Sequence, residues 1–154
     1  MPTSVETIWE TIAREAERES SLWGAALRPA EDRDAVPVFS PLADDRFALG
    51  VESIYEGYLL HYGRARLFSP ADRDVAILLG DYLYAHGLVR ITALGDVDAV
   101  ARLAELLSLC AHLRAEGEDG DGQAWADTIG ALGDFELPAE AVERALALHA
   151  ERVD

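Results

Sequence analysis

Tyr82, His86 and Arg90 recur at four-residue intervals, so in a helix they line one face, with Asp81 beside it. Phenol, imidazole, guanidinium and carboxylate in one stripe have two uses. Asp81, His86 and Arg90 can act as acid–base groups in a pocket, or the stripe can satisfy itself in an interhelical hydrogen-bond network. Tyr55, Tyr58, His61 and Tyr62 make a second, more aromatic patch, suited either to a hydrophobic groove or to core packing. Other chemistries lack their residues. No histidine follows a glutamate by three, the spacing that carboxylate di-iron bundles use. Glu56 and His61, like Asp81 and His86, are five apart and turn to different faces; Glu105 and His112, seven apart, share a face but form only one pair. The acidic stretch 116–123, EGEDGDGQ, has part of a calcium-loop spacing without the closing bidentate glutamate. There is no G-x-S-x-G and no glycine-rich phosphate loop. Cys110 is alone, which excludes an internal disulfide and a thiolate metal cluster. The residues themselves therefore imply no metal and no cofactor.

These side chains need a scaffold, and the stretch 69–95 is its most apolar part. It is apolar almost all the way round, which predicts a central buried helix over 70–94, with Ser69 as cap and Pro70 in the first position. Its length suits a membrane span, but Asp81, His86 and Arg90 would be costly in lipid, so a core helix of a soluble bundle is expected. A second long helix is expected to start at Phe39-Ser40-Pro41 and end near Tyr62, the same phrase that recurs as Phe68-Ser69-Pro70. Gly50 and Gly57 on one helix and Gly80 and Gly87 on the other are each seven apart, two turns, and hence on one face. Glycine inside a helix costs about 1 kcal/mol against alanine, so four of them point to close helix crossing. Gly63 stands where a left-handed C-terminal residue is expected.

Around this pair the reading is helical throughout. Thr3 with Glu6 has capping-box spacing, ahead of an amphipathic N-terminal helix over 5–23 within a segment 1–25. Residues 26–40, with Pro29 and Pro37, read as an irregular connection, and 41–154 as the helical core. Further helices are expected over 96–115, around 124–132 and over 138–153. In 96–115 the apolar residues Val97, Val100, Leu103, Leu106, Leu107, Cys110 and Leu113 mark the buried side. No stretch alternates with period two. The expectation is one all-α domain, 1–154, of five to six helices.

Charge narrows the function. Of 154 residues, 29 are Asp or Glu and 13 are basic, all arginine, for a formal net charge of -16. That excess disfavours nucleic acid, anionic membrane surfaces and unaided binding of a phosphorylated substrate. The N-terminal residues show no basic region followed by an apolar stretch and a cleavage site, and a reducing cytoplasm is the expected compartment.

The phrases VESIYEGYLLHYGRAR, VAILLGDYLYAHGLVRITALGD and AVARLAELL, over about 50–115, resemble the front half of a trans-polyprenyl diphosphate synthase. More specifically, Gly80-Asp81-Tyr82 and Gly95-Asp96 resemble phrases in the small, non-catalytic subunit of two-component heptaprenyl diphosphate synthases. The resemblance implies an isoprenoid synthase-like helical fold. It also implies association with a catalytic chain, with Tyr58, Tyr62 and Tyr82 as candidates for a hydrophobic product groove. The aspartate-rich motif of catalytic chains is missing: its place holds Tyr58 to Tyr62, and Asp44-Asp45 is followed by Arg46, Phe47 and Ala48. Magnesium would then enter only through a catalytic partner, because ionising an allylic diphosphate needs a metal-binding acid cluster. Two further readings stand beside a silent subunit: a stand-alone helical protein binding an apolar small molecule or another protein partner, including a second copy, and an acid–base site at Asp81, His86 and Arg90.

Overall fold

The computed structural model describes residues 5–133 and 135–153. Among them the regular elements are all helical, in the order α1 (Ile8–Glu19), α2 (Ser21–Ala26), α3 (Ala48–Tyr62), α4 (Arg73–Ala93), α5 (Val97–Ala115), α6 (Asp121–Gly130) and α7 (Ala139–Arg152). The all-α class is as expected, with seven helices rather than five or six. One apolar cluster runs from Ile12 in α1 to Ala145 in α7.

The N-terminal helix expected over 5–23 is two helices. Thr3, half of the expected capping box, lies outside the described residues, and Thr7 is the cap: its hydroxyl accepts from the Glu10 N–H at 3.1 Å. Ser20, extended at φ -157°, ends α1 and caps α2 by accepting from the Leu22 N–H. The hydroxyl can cap only from outside the helix, so the break falls there.

Segment 27–47 holds three short 3-10 turns, Ala30–Asp32, Ser40–Leu42 and Asp45–Phe47, before α3 begins at Ala48. The Phe-Ser-Pro phrases do not start the long helices as expected. Ser40 opens a 3-10 turn, and its N–H donates to the Glu52 carboxylate. The Ser69 N–H donates to the Ala26 carbonyl at 2.7 Å, in a short ribbon that also pairs Leu27 with Phe68. That ribbon holds 69 outside the helix, and α4 starts at Arg73 with Asp72 accepting from the Val75 N–H. Both phenylalanines still anchor the chain, each fully buried.

The buried helix is α3, not 70–94. Every residue from Gly50 to Leu60 is buried, Glu52 and Glu56 included. On α4 the buried residues are Leu79, Gly80, Leu83, Gly87 and Ile91, one face only, while Leu78 is 55% and Val89 64% exposed. An apolar composition all round does not say which faces other elements cover, and here only α3 is wrapped on every side. The two helices run antiparallel through their glycines. A Cβ on Gly57 would lie 2.7 Å from the Gly80 carbonyl oxygen, and one on Gly87 would lie 2.9 Å from that of Gly50. Backbone therefore meets backbone at two levels, and any side chain there would push the helices apart.

Gly63 is not left-handed: its φ is -158°, and it pairs with Val153 in an isolated bridge where a Cβ would crowd the Arg152 carbonyl. The left-handed turn comes at Gly95 (φ 81°), which closes α4 and lets Asp96 cap α5 by accepting from the Ala99 N–H. Along α5, Ala99, Leu103, Leu106 and Cys110 face inward, whereas Val97, expected inside, is exposed. No helix among the described residues is long and apolar enough to cross a membrane.

Candidate functional site

The polar residues singled out from the sequence fall into separate clusters rather than one site. Two clusters built largely on residues that the sequence did not single out hold the most deeply buried charges.

The first lies beneath α3. Arg66 is fully buried, and its guanidinium meets Glu52 Oε2 at 2.6 Å and Glu56 Oε1 at 3.0 Å. It also donates to the Val36 carbonyl at 2.9 Å and lies over the Trp9 ring, 4.6 Å from its centroid. The carboxylates do more than neutralise it. Glu52 accepts from the N–H groups of Val38 and Ser40, and Glu56 from those of Arg66 and Leu67. These backbone donors belong to irregular segments that have no ladder of their own, so two glutamates take the place of secondary structure for them. Burying three charges is costly, and the cost is offset because each carboxylate oxygen and each guanidinium nitrogen has a hydrogen-bond partner. The arrangement is sealed from solvent and built for structure.

The second joins α3 to the last three helices. Asp121 Oδ2 accepts from the Tyr58 hydroxyl at 2.6 Å, from Arg114 at 2.7 Å and from His149 Nε2 at 3.1 Å. Carboxylate oxygen only accepts here, so Nε2 carries a proton. His149 Nδ1 is 2.7 Å from the Tyr55 hydroxyl. Burial alone would raise the Asp121 carboxyl, but the hydrogen bonds from His149, Tyr58 and Arg114 outweigh it and hold the group well below the ordinary aspartate range. Burial pushes the Tyr55 and Tyr58 hydroxyls far up, and the Cys110 thiol up to about 11. A tyrosine–histidine–aspartate chain can relay protons in principle. Here both tyrosines and His149 are inside the core, and the chain clamps α3, α5, α6 and α7 together. Asp121, in the loop compared with a calcium site, is thus committed to protein partners. Among the described residues no group of three or more His, Cys, Asp or Glu is placed to hold a metal ion.

The expected aromatic patch is divided between these surroundings. Tyr55 and Tyr58 pack around the fully buried Trp125, at 5.1 and 5.5 Å between ring centroids. Tyr62 packs on Tyr58. His61 points the other way: it stacks on Tyr84 at 5.1 Å, and its Nε2 donates to Asp81 Oδ1 at 3.0 Å. Asp81 is exposed and separate from His86.

Of the four-spaced stripe, Tyr82 and His86 stack at 5.3 Å, and Arg90 pairs with Glu15 of α1. His86 Nε2 lies 3.1 Å from both Glu15 Oε2 and an Arg90 nitrogen, and one ring nitrogen serves only one of them at a time. Arg90 Nε is buried without a partner, and burial, with Arg14 nearby, lowers this guanidinium's pKa. With Arg18 and Glu19, these residues edge a shallow cleft between α1 and α4. The stripe is thus the dock for α1, the network alternative of the two set out above. Of the residues proposed together as acid and base, His86 and Arg90 meet, whereas Asp81 pairs with His61 instead.

What the surface does present is apolar. Leu78, Ala85 and Val89, with the half-buried Tyr82 beside them, follow one face of α4 on the side away from α3. Compared with family models, with curated proteins and with solved structures, the chain matches none.

Proposed function

We propose that this chain is a catalytically silent helical subunit, which associates through the outward face of α4 with the catalytic chain of a polyprenyl diphosphate synthase. The observation that carries the reading is that face. Leu78 and Val89 stand more than half exposed along one face of a 21-residue helix, in a molecule whose formal net charge is -16. Apolar side chains at 78, 85 and 89 form the stripe by which one helix packs on another. The kind of partner follows from the sequence resemblance over 50–115. Silence is supported by what the charged groups do: Glu52, Glu56, Asp121 and His149 are each spent on holding the fold. Of the aromatic positions put forward for a product groove, Tyr58 and Tyr62 pack on one another and Tyr58 on Trp125, while Tyr82 packs on Trp23 and His86, so any product tunnel would belong to the partner.

The test is an affinity pull-down of the tagged chain from its native host, with partners identified by mass spectrometry. Stoichiometric recovery of a synthase chain bearing the aspartate-rich motif, lost when Leu78 and Val89 are both replaced by glutamate, is the expected result. Recovery of the chain alone, or with an unrelated complex, would overturn the proposal.

A further inference from the structure

The ribbon 26–28 with 67–69, the end of α3 and the start of α4 border a cleft of about 420 Å³. Three arginines line it, each fixed by a backbone carbonyl: Arg28 by Ala65, Arg64 by Glu151 and Arg73 by His61. A carbonyl orients a guanidinium without cancelling its charge, and one such bond leaves most of its five N–H donors free. Among the described residues none of the three has a carboxylate within ion-pairing distance, whereas Arg14, Arg46, Arg66, Arg90, Arg114 and Arg152 all do. Asp72 is the acid in the lining, and its Oδ1 is taken by the Val75 N–H. Positive charge is dense enough here that Arg152, already depressed by burial, is lowered further by Arg28. Pro70, Ala71 and Ala76 give the wall accessible carbon beside the Ser69 hydroxyl. Within the lining, arginines outnumber acids three to one, while Asp32, Asp34 and Glu151 line the adjoining cleft that shares Arg28 and Arg64; screening over about 8 Å at physiological salt weakens the acids farther off.

We propose that this cleft binds a small organic anion, whose phosphate or carboxylate group meets Arg28, Arg64 and Arg73 while its carbon part lies against Pro70, Ala71 and Ala76. Guanidinium donors match both oxyanions, bidentately where the fork is free. The volume is that of a small-molecule site and leaves room beyond the oxyanion group. Nucleic acid and anionic bilayers are kept off by the surrounding charge, which a single small anion inside the cleft escapes. The site stands independently of the subunit reading, since it lies on the α4 N-terminal side and uses none of Leu78, Ala85 or Val89.

The probes are inorganic phosphate and phenyl phosphate, titrated into the isotope-labelled full chain at fixed ionic strength and followed by amide chemical shifts. The expected result is saturable shifts confined to the lining segments, 26–28 and 60–76, with phenyl phosphate binding more tightly than phosphate. Arg64→Gln and Arg73→Gln, both at exposed positions, should each weaken binding about tenfold, as loss of a charge-assisted hydrogen bond does. Their spectra elsewhere should be unchanged, and Arg102→Gln on α5 should bind normally. Shifts that do not saturate, that sodium chloride reproduces, or that survive both substitutions would overturn the site. Phenyl phosphate binding no tighter than phosphate would overturn the organic-anion assignment.

Discussion

α3 and α4 carry the same devices and meet different fates. Each is rich in apolar residues, each has two glycines seven apart, and they pack against one another through those glycines. Yet α3 is buried from Gly50 to Leu60 with two glutamates inside, while α4 keeps one face in solvent. The difference comes from what covers the far side. Over α3 lie Arg66 and the irregular segments around Val38 and Ser40, all polar backbone that needs carboxylate acceptors. Against α4 lie α1 and α2, along the Tyr82–Arg90 stripe, and α5, and its Leu78–Val89 face stays exposed. A helix can therefore be central because its acids are wanted inside, and another apolar helix can be peripheral because one of its faces is left uncovered.

The comparison breaks most sharply at Arg66. Arg66→Met leaves two buried carboxylates without their cation and should cost about 3–5 kcal/mol, read as a lower urea midpoint. Replacing Glu52 and Glu56 by leucine in the same chain should fail to restore it, because four backbone N–H groups would lose their acceptors. Full recovery in the triple variant would show that only the ion pairing mattered. Next comes the glycine contact: Gly57→Ala drives a methyl group into the Gly80 carbonyl and should cost about 1–3 kcal/mol by the same assay. A neutral effect would mean that the two backbones are not held in contact.

Acid gives a smaller effect. Because the Asp121 pKa is depressed in the folded state, its contribution is present above the unfolded aspartate value of about 3.9 and is lost as pH falls below it. Asp121→Asn should lower stability at neutral pH by about 1–2 kcal/mol and flatten this acid limb. An acid limb as steep as in the parent chain would assign the loss to other carboxylates. Smallest of all, Leu78→Glu with Val89→Glu should change the unfolding free energy by no more than about 0.5 kcal/mol while abolishing association. A large loss of stability would place that face in the core after all.

The all-α class, the Asp96 start of α5 and the glycine crossing were legible because each rests on local chemistry: period, caps and missing side chains. The position of α4 was not. Periodicity reports that Leu78 and Val89 are apolar, and nothing within the helix says that no element lies over them. Arg66 hid in a short connection, where an arginine reads as solvated, and its partners Glu52 and Glu56 hid because acids on a helix read as its outer face. His149 and Asp121, 28 residues apart, meet only after α6 and α7 have packed. The four-spaced Tyr82, His86 and Arg90 share a face as the spacing requires, but whether that face is a pocket or a dock depends on Glu15, which arrives from 71 residues away.

Amide hydrogen exchange, resolved by residue, tests the central place of α3 most directly. Amides from Gly50 to Leu60 should open only with the whole molecule, at the free energy measured by urea unfolding, while the outward amides of α4 at Leu78, Ala85 and Val89 should exchange through smaller, local openings. Uniform protection around α4 that exceeds that of α3 would contradict the account and return α4 to the centre of the fold.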